Sequence, residues 1–141
     1  MFENLRQIIE KFQIKGVVKK IHPIEVGHIN QTYKVLSEFE QQTVPYVLQK
    51  INTQVFQQPV GLMGNIVKVG IYLQQNNYPK DILFPIQSLE NLPFFIDNQN
   101  NYWRVFSFIE HTETINEVQT EEQAYAAAYA FGEYTSSLEG F

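Results

Sequence analysis

The fold is decided by residues 31–51, which read QTYKVLSEFEQQTVPYVLQKI. Two strand-like runs, Gln31–Phe39 and Tyr46–Ile51, flank a short polar break that contains Pro45. A third run, Val17–Val26, precedes them and is separated from them by Gly27–Asn30. Gaps this short join antiparallel neighbours, because parallel strands need a long crossover. The stretch therefore predicts a meander of three antiparallel strands.

Outside this meander, the periodicity of apolar residues predicts three helices and a further hairpin. Thr120 and Gln123 fit a capping box at the start of the last helix. The remaining predicted elements are a helix over 2–12, a helix over 59–75, an edge strand over 82–89, strands over 94–97 and 102–109, and a helix over 121–139. Strands outnumber helices and do not alternate with them, which predicts an α+β fold: about five antiparallel strands with one packed helix.

The composition is that of a globular chain. It has 141 residues, 44% of them hydrophobic, and a net charge of −5. Only ten residues are Lys or Arg, so we expect neither nucleic acid nor a membrane surface as a partner. There is no cysteine, and the three histidines are too scattered to predict a metal site. The N-terminus lacks the pattern of a signal peptide, which predicts a cytoplasmic protein.

Two segments could carry chemistry by residue type alone. In the loop Gly27–Asn30, the glycine lets the backbone approach a phosphate or simply turn. Lys50 follows Leu48 on one face of the predicted strand, and in kinases such a pair covers a base and meets phosphates. An ordinary hairpin and a solvated edge lysine are the plainer interpretations. The pattern alone leaves both alternatives open.

Six segments of the chain occur in an order and spacing that is known from one group of enzymes. They are Gly27–Tyr33, Tyr46–Asn52, Val55-Phe56, Leu62–Ile66, Trp103-Arg104 with Phe108–Glu110, and Ala130–Glu133. Together they resemble the aminoglycoside phosphotransferase and choline kinase superfamily, and within it the N-acetylhexosamine 1-kinase-like proteins. The resemblance implies an ATP-dependent small-molecule kinase that uses Mg²⁺ and phosphorylates a sugar or another alcohol.

The resemblance also assigns roles to residues. Residues 1–110 would form the N-terminal lobe with its hinge, and residues 111–141 would begin the C-terminal lobe. The nucleotide would meet a phosphate loop, an apolar cover over adenine, a cation at the phosphates and the hinge. The resemblance assigns the phosphate loop to Gly27, His28, Ile29 and Asn30, and the cover over adenine to Leu48. It assigns the cation at the phosphates to Lys50, and the hinge to Phe108, Ile109 and Glu110. Gln49 is the other candidate for the cation position, and Lys50 is favoured because it is the only cation there.

Two departures from the family pattern bear on activity. The 141 residues contain no H-x-D segment with the following Asn and metal-binding Asp, so no catalytic residue is assigned and we expect no activity from this chain alone. Residues 53–80 contain no Asp or Glu, and Gly64 stands where relatives tend to have Glu.

Without C-lobe helices to cover it, the apolar stripe of the last helix should promote self-association. The stripe consists of Ala124, Ala127, Ala128, Phe131 and Leu138. The alternative to a kinase lobe is a non-catalytic α+β module that binds an apolar ligand or a partner protein.

Overall fold

The computed structural model describes residues 2–25, 27, 29–112 and 114–141. In these residues the order of elements is α1 (Phe2–Ile9), β1 (Val17–Ile24), β2 (Gln31–Phe39), β3 (Gln42–Lys50), α2 (Pro59–Gln75), β4 (Pro85–Ile86), β5 (Phe95–Ile96), β6 (Tyr102–Ser107) and α3 (Glu121–Ser136). The predicted α+β class is confirmed. The chain forms two compact units: the first extends to Val67 and includes Leu83–Phe108, and the second consists of Lys68–Ile82 and Ile109–Phe141.

The sheet of the first unit is antiparallel throughout, with the strand order β1-β2-β3-β6-β4 and β5 paired to β6. The predicted meander of β1, β2 and β3 and the predicted pairing of β5 with β6 are both confirmed. Strand β6 returns from far along the chain to lie beside β3, which makes β3 an interior strand. The residues of β3 are therefore flanked on both sides.

Strand β3 begins at Gln42 and runs through Pro45, so the predicted break at this proline is wrong. A two-residue turn joins β2 to β3, with Glu40 and Gln41 at φ values of 50° and 64°. The missing N–H of Pro45 is tolerated because pairing between β3 and β6 ends one residue later, at Tyr46. The Pro45 carbonyl still accepts a hydrogen bond from the Phe108 N–H, at 3.1 Å.

The pleat divides the side chains of the sheet between two faces. On the first, which we call the α1 face, Val35, Leu48 and Val105 are fully buried and pack with apolar residues of α1. The helix contributes Leu5, Ile8 and Ile9, and Phe12 joins them although α1 ends at Ile9, before the predicted end. The opposite side, which we call the Gln49 face, carries Thr32, Lys34, Val47, Gln49, Arg104 and Phe106.

A smaller apolar cluster joins the first turns of α2 to the end of β3. Ile51, Met63 and Phe94 are buried there, with Leu62 and Tyr102 packed around them. The predicted helix over 59–75 is confirmed. This cluster positions Met63 so that its sulfur lies 3.8 Å from Arg104 Nη1, on the Gln49 face.

The second unit contains α3, which begins where the capping pattern predicted. The Thr120 side chain accepts a hydrogen bond from the Gln123 N–H, at 3.3 Å. The helix ends at Ser136, three residues before the predicted end, and has no buried residue. Phe131, in the predicted apolar stripe, is 73% exposed. Among the described residues, no helix is long and apolar enough to cross a membrane.

Candidate functional site

The loop that joins β1 to β2 contains the residues predicted to cover phosphates. Gly27 has a φ of 119°, a value that L side chains rarely adopt, so a glycine is required there. His28 lies outside the described residues. Asn30 fastens the loop to the segment after β3, because its side-chain Oδ1 accepts a hydrogen bond from the Asn52 N–H at 3.0 Å. The end of this loop is therefore held in place.

Leu48 and Lys50 both lie on the α1 face. Leu48 is fully buried, so it offers no surface that a base could contact. This burial does not favour a position of Leu48 over adenine, and that role stays a prediction. Lys50 pairs across the strands with Gln31 and Trp103, and its Nζ lies 6.0 Å from the centre of the Trp103 ring. With Ile29 and Gln31, Lys50 lines a cavity of about 300 Å³. The structure thus brings Ile29 and Lys50 together, away from Gln49.

A polar row crosses the Gln49 face at the end of the sheet nearest the Gly27 loop. Thr32, Gln49 and Arg104 lie directly opposite one another on β2, β3 and β6. Gln49 Nε2 donates to Thr32 Oγ1 at 3.2 Å, and Arg104 Nε donates to Gln49 Oε1 at 2.9 Å. We call these three residues the Thr32–Gln49–Arg104 row. It fixes the guanidinium of Arg104 in one orientation.

Arg104 is half-buried and has no anionic partner among the described residues. Their ion pairs within 4.0 Å join Lys19 to Glu38 and Lys80 to Glu133. Desolvation lowers the pKa of the Arg104 guanidinium, because burial disfavours the charged form. Its neighbour on α2 is the thioether of Met63, which is a weak acceptor without charge. The positive charge of Arg104 is therefore left uncompensated.

The predicted hinge residues begin at the opposite end of the Gln49 face. The ring of Phe108 lies beneath Lys34, whose Nζ is 3.8 Å from the ring centre. Ile109 is 52% exposed, and its carbonyl accepts a hydrogen bond from Thr112 Oγ1 at 3.1 Å. Glu110 is exposed as well. The Gln49 face therefore runs from an aromatic end at Phe108 to a polar end beside the Gly27 loop.

Sequence reasoning missed Thr32 and Arg104 as members of this face. Trp103-Arg104 was part of the resemblance, but its pairing with Gln49 spans 55 residues and cannot be read from local patterns. The alternation of β3 did place Val47 and Gln49 on a common face. No local pattern in the sequence indicates which face of the sheet α1 covers.

No protein-family model matches the chain. Its fold is similar to that of a crystal structure of spectinomycin phosphotransferase APH(9)-Ia in complex with ADP and spectinomycin. The superposition has a TM-score of 0.51 at 17% sequence identity, and it covers 77% of this chain and 30% of that chain. The chain thus spans less than a third of the phosphotransferase that it matches.

This likeness shows a shared fold. A mixed α/β chain with a six-stranded antiparallel sheet and three helices in the described residues matches the N-terminal lobe of a kinase-like enzyme. The fold class predicted from the sequence is confirmed, and membership of the phosphotransferase superfamily stays a prediction. The closer relation to N-acetylhexosamine 1-kinase-like proteins stays a prediction.

Proposed function

We propose that this chain is the nucleotide-binding lobe of an ATP-dependent small-molecule kinase. The observation that carries the proposal is the Gln49 face. It joins a row of fixed hydrogen-bond donors, at the end of the sheet nearest the Gly27 loop, to an aromatic end, and the fold of this sheet is shared with a phosphotransferase. Its basic side chains suit an anionic ligand, because charge-assisted hydrogen bonds to phosphate are the strong ones.

The two ends of the Gln49 face correspond to the two ends of a nucleotide. The base belongs at the aromatic end of this face, near Phe108, on whose ring Lys34 packs in this structure. The phosphates belong beside the Gly27 loop, where polar donors converge. Val47, which lies between these ends and pairs with Lys34 and Phe106, takes the role of the apolar cover that the sequence had assigned to Leu48. The roles of Ile109 and Glu110 in the hinge follow from the resemblance.

Catalysis would require groups beyond those described. Among the described residues, no group of three or more His, Asp or Glu side chains could hold a metal ion. In this proposal the lobe binds and orients a nucleotide, and Mg²⁺ would arrive with the phosphates. The acceptor, a sugar of the N-acetylhexosamine type or another alcohol, is proposed from the resemblance. Incubating the chain with ATP, Mg²⁺ and N-acetylhexosamines should yield no sugar phosphate above a blank.

The binding proposal is tested by nuclear magnetic resonance with the ¹⁵N-labelled chain. Because a single lobe provides half of a nucleotide cleft, we expect millimolar affinity for ATP. The amides of Thr32, Val47 and Phe108 should shift, whereas those of Ile8 and Ile9 on the far side of the sheet should not. Shifts confined to α1, or no shift at millimolar ATP, would refute the proposal.

A further inference from the structure

We propose that Arg104, held by Gln49, is the cation that binds the nucleotide phosphates in this lobe, in place of a lysine on β3. The inference rests on the proposed function and names the residue that gives this site its preference for phosphate. Trp103-Arg104 belongs to the strand beside β3, so the charge has moved one strand across the sheet.

The position of Arg104 in the sheet favours this role. Gln49 and Arg104 lie in the row of the Gln49 face closest to the Gly27 loop, because Ile24 and Thr32 form the last pair before that loop. Lys50 points to the other side of the sheet, which α1 covers. A phosphate bound to this row on the Gln49 face would therefore meet Thr32, Gln49 and the guanidinium of Arg104, and not Lys50.

Arg104 also has N–H donors left for a ligand. Arg104 donates its Nε–H to Gln49 and one N–H of Nη1 to the Met63 sulfur. The second N–H of Nη1 and both N–H groups of Nη2 remain, and they can bind two oxygens at once. Its orientation is set in advance, so little side-chain entropy is lost when an anion binds. Gln49 acts as a positioning residue, and its own amide is oriented by Thr32.

Helix α2 offers no carboxylate to Arg104. No Asp or Glu occurs in residues 53–80, and the atom that α2 presents to Arg104 is the Met63 sulfur. A half-buried cation without an anion is costly unless a ligand compensates it. A phosphate would supply that compensation and would raise the pKa of Arg104 again.

The experiment compares ATP, ADP and adenosine, because only the first two carry phosphate. The chain contains two arginines, Arg6 and Arg104, so its Nε–H spectrum has two signals to assign. Arg6 lies in α1, donates to the Val18 carbonyl and serves as the internal control. ATP and ADP should shift the Arg104 signal and leave that of Arg6 in place, and adenosine should move neither.

The matched variants separate the two cations. Arg104→Gln should weaken ATP binding by about tenfold and leave adenosine binding unchanged, since a hydrogen bond to a charged group is lost. Gln49→Glu keeps the size of the side chain, neutralises Arg104 in place and should have the same effect. Lys50→Gln should change ATP affinity by less than about twofold, as expected of a charge outside the site.

Each outcome has a distinct meaning. No binding of any nucleotide to the unmodified chain overturns the proposed function. ATP binding that survives Arg104→Gln and is lost in Lys50→Gln overturns the role of Arg104 alone. If Arg104→Gln fails to fold, Gln49→Glu and the unmodified chain still decide the point. ATP should slow modification of Arg104 by phenylglyoxal and leave Arg6 unprotected, and equal reaction of the two with and without ATP would refute the inference.

Discussion

Truncating Leu48 should destabilise the first unit strongly, whereas truncating its neighbour Val47 should not. The comparison tests which face of β3 is buried, and the assignment of the site depends on this. Leu48 has no exposed surface and packs with Val35, Val105 and apolar residues of α1. Val47 is half-buried on the Gln49 face.

The expected cost follows from the burial of Leu48. Leu48→Ala removes three buried carbon atoms, and their transfer to water is worth about 2.4 kcal/mol at about 0.8 kcal/mol each. The cavity left behind raises the loss of unfolding free energy to about 3–5 kcal/mol. Val47→Ala leaves no closed cavity and should cost about 1 kcal/mol, which is the range of strand preferences.

Urea unfolding followed by tryptophan fluorescence measures both variants. Trp103 is the sole tryptophan of the chain and belongs to the same buried cluster as Leu48. At a slope of about 1–3 kcal/mol per M, a loss of 3 kcal/mol lowers the midpoint by roughly 1–3 M urea. If Leu48→Ala costs less than about 0.5 kcal/mol, as exposed positions do, then Leu48 does not lie in the core and the Gln49 face is assigned to the wrong side of the sheet.

Three further expectations concern other parts of the chain. Gly16→Ala should lower the free energy of unfolding by more than about 2 kcal/mol, because Gly16 has a φ of 80° and an added methyl carbon would lie 2.2 Å from the Glu38 carbonyl oxygen. Gly64→Ala adds the same methyl carbon to open space in α2 and should instead stabilise the fold by up to about 1 kcal/mol. Equal urea midpoints for the two variants would contradict this. Burial raises the pKa of Asp97, but hydrogen bonds from Asn101 and Trp103 outweigh it and lower the net value, so this carboxylate stabilises the fold above about pH 4 and the benefit is lost as the pH falls through the lowered pKa. Asp97→Asn should cost about 1.5–3 kcal/mol at pH 7 and progressively less in acid, and a cost that does not change with pH would speak against it. Because Phe131 of the apolar stripe is exposed on α3, the chain should self-associate in sedimentation experiments. Phe131→Glu should abolish this, whereas Ala126→Glu, which lies about 140° around the helix from Phe131, should not.

Most of the secondary structure could be predicted from local patterns. The meander, the helix over 59–75 and the Thr120 cap depend on residues close together in sequence, and all three are confirmed. Pro45 was misread as a break because its tolerance depends on where β6 stops pairing with β3. That pairing joins segments far apart in the chain, and no local pattern reports it.

The candidate site was predicted only in outline for a related reason. Alternation in β3 separates Leu48 and Lys50 from Val47 and Gln49, but it does not say which pair faces the core. That choice is made by α1, which covers the Leu48 side. Lys50, which is favoured by its charge, lies on the α1 face, and its role at the phosphates stays a prediction. Gln49 instead contacts Arg104, which lies 55 residues further along the chain.

The arrival of β6 from so far along the chain has a consequence for the order of folding. The turn at Glu40 and Gln41 closes two residues, whereas contact between Gln49 and Arg104 closes a loop of 55, which costs roughly 3 kcal/mol more in chain entropy. We therefore expect β1, β2 and β3 to pair first, with β3 as a temporary sheet edge. Pulsed hydrogen exchange should find amides of β2 protected before those of β6, and the reverse order would exclude this sequence. The Thr32–Gln49–Arg104 row then assembles in the same late step that removes the open edge, so early intermediates lack the candidate site.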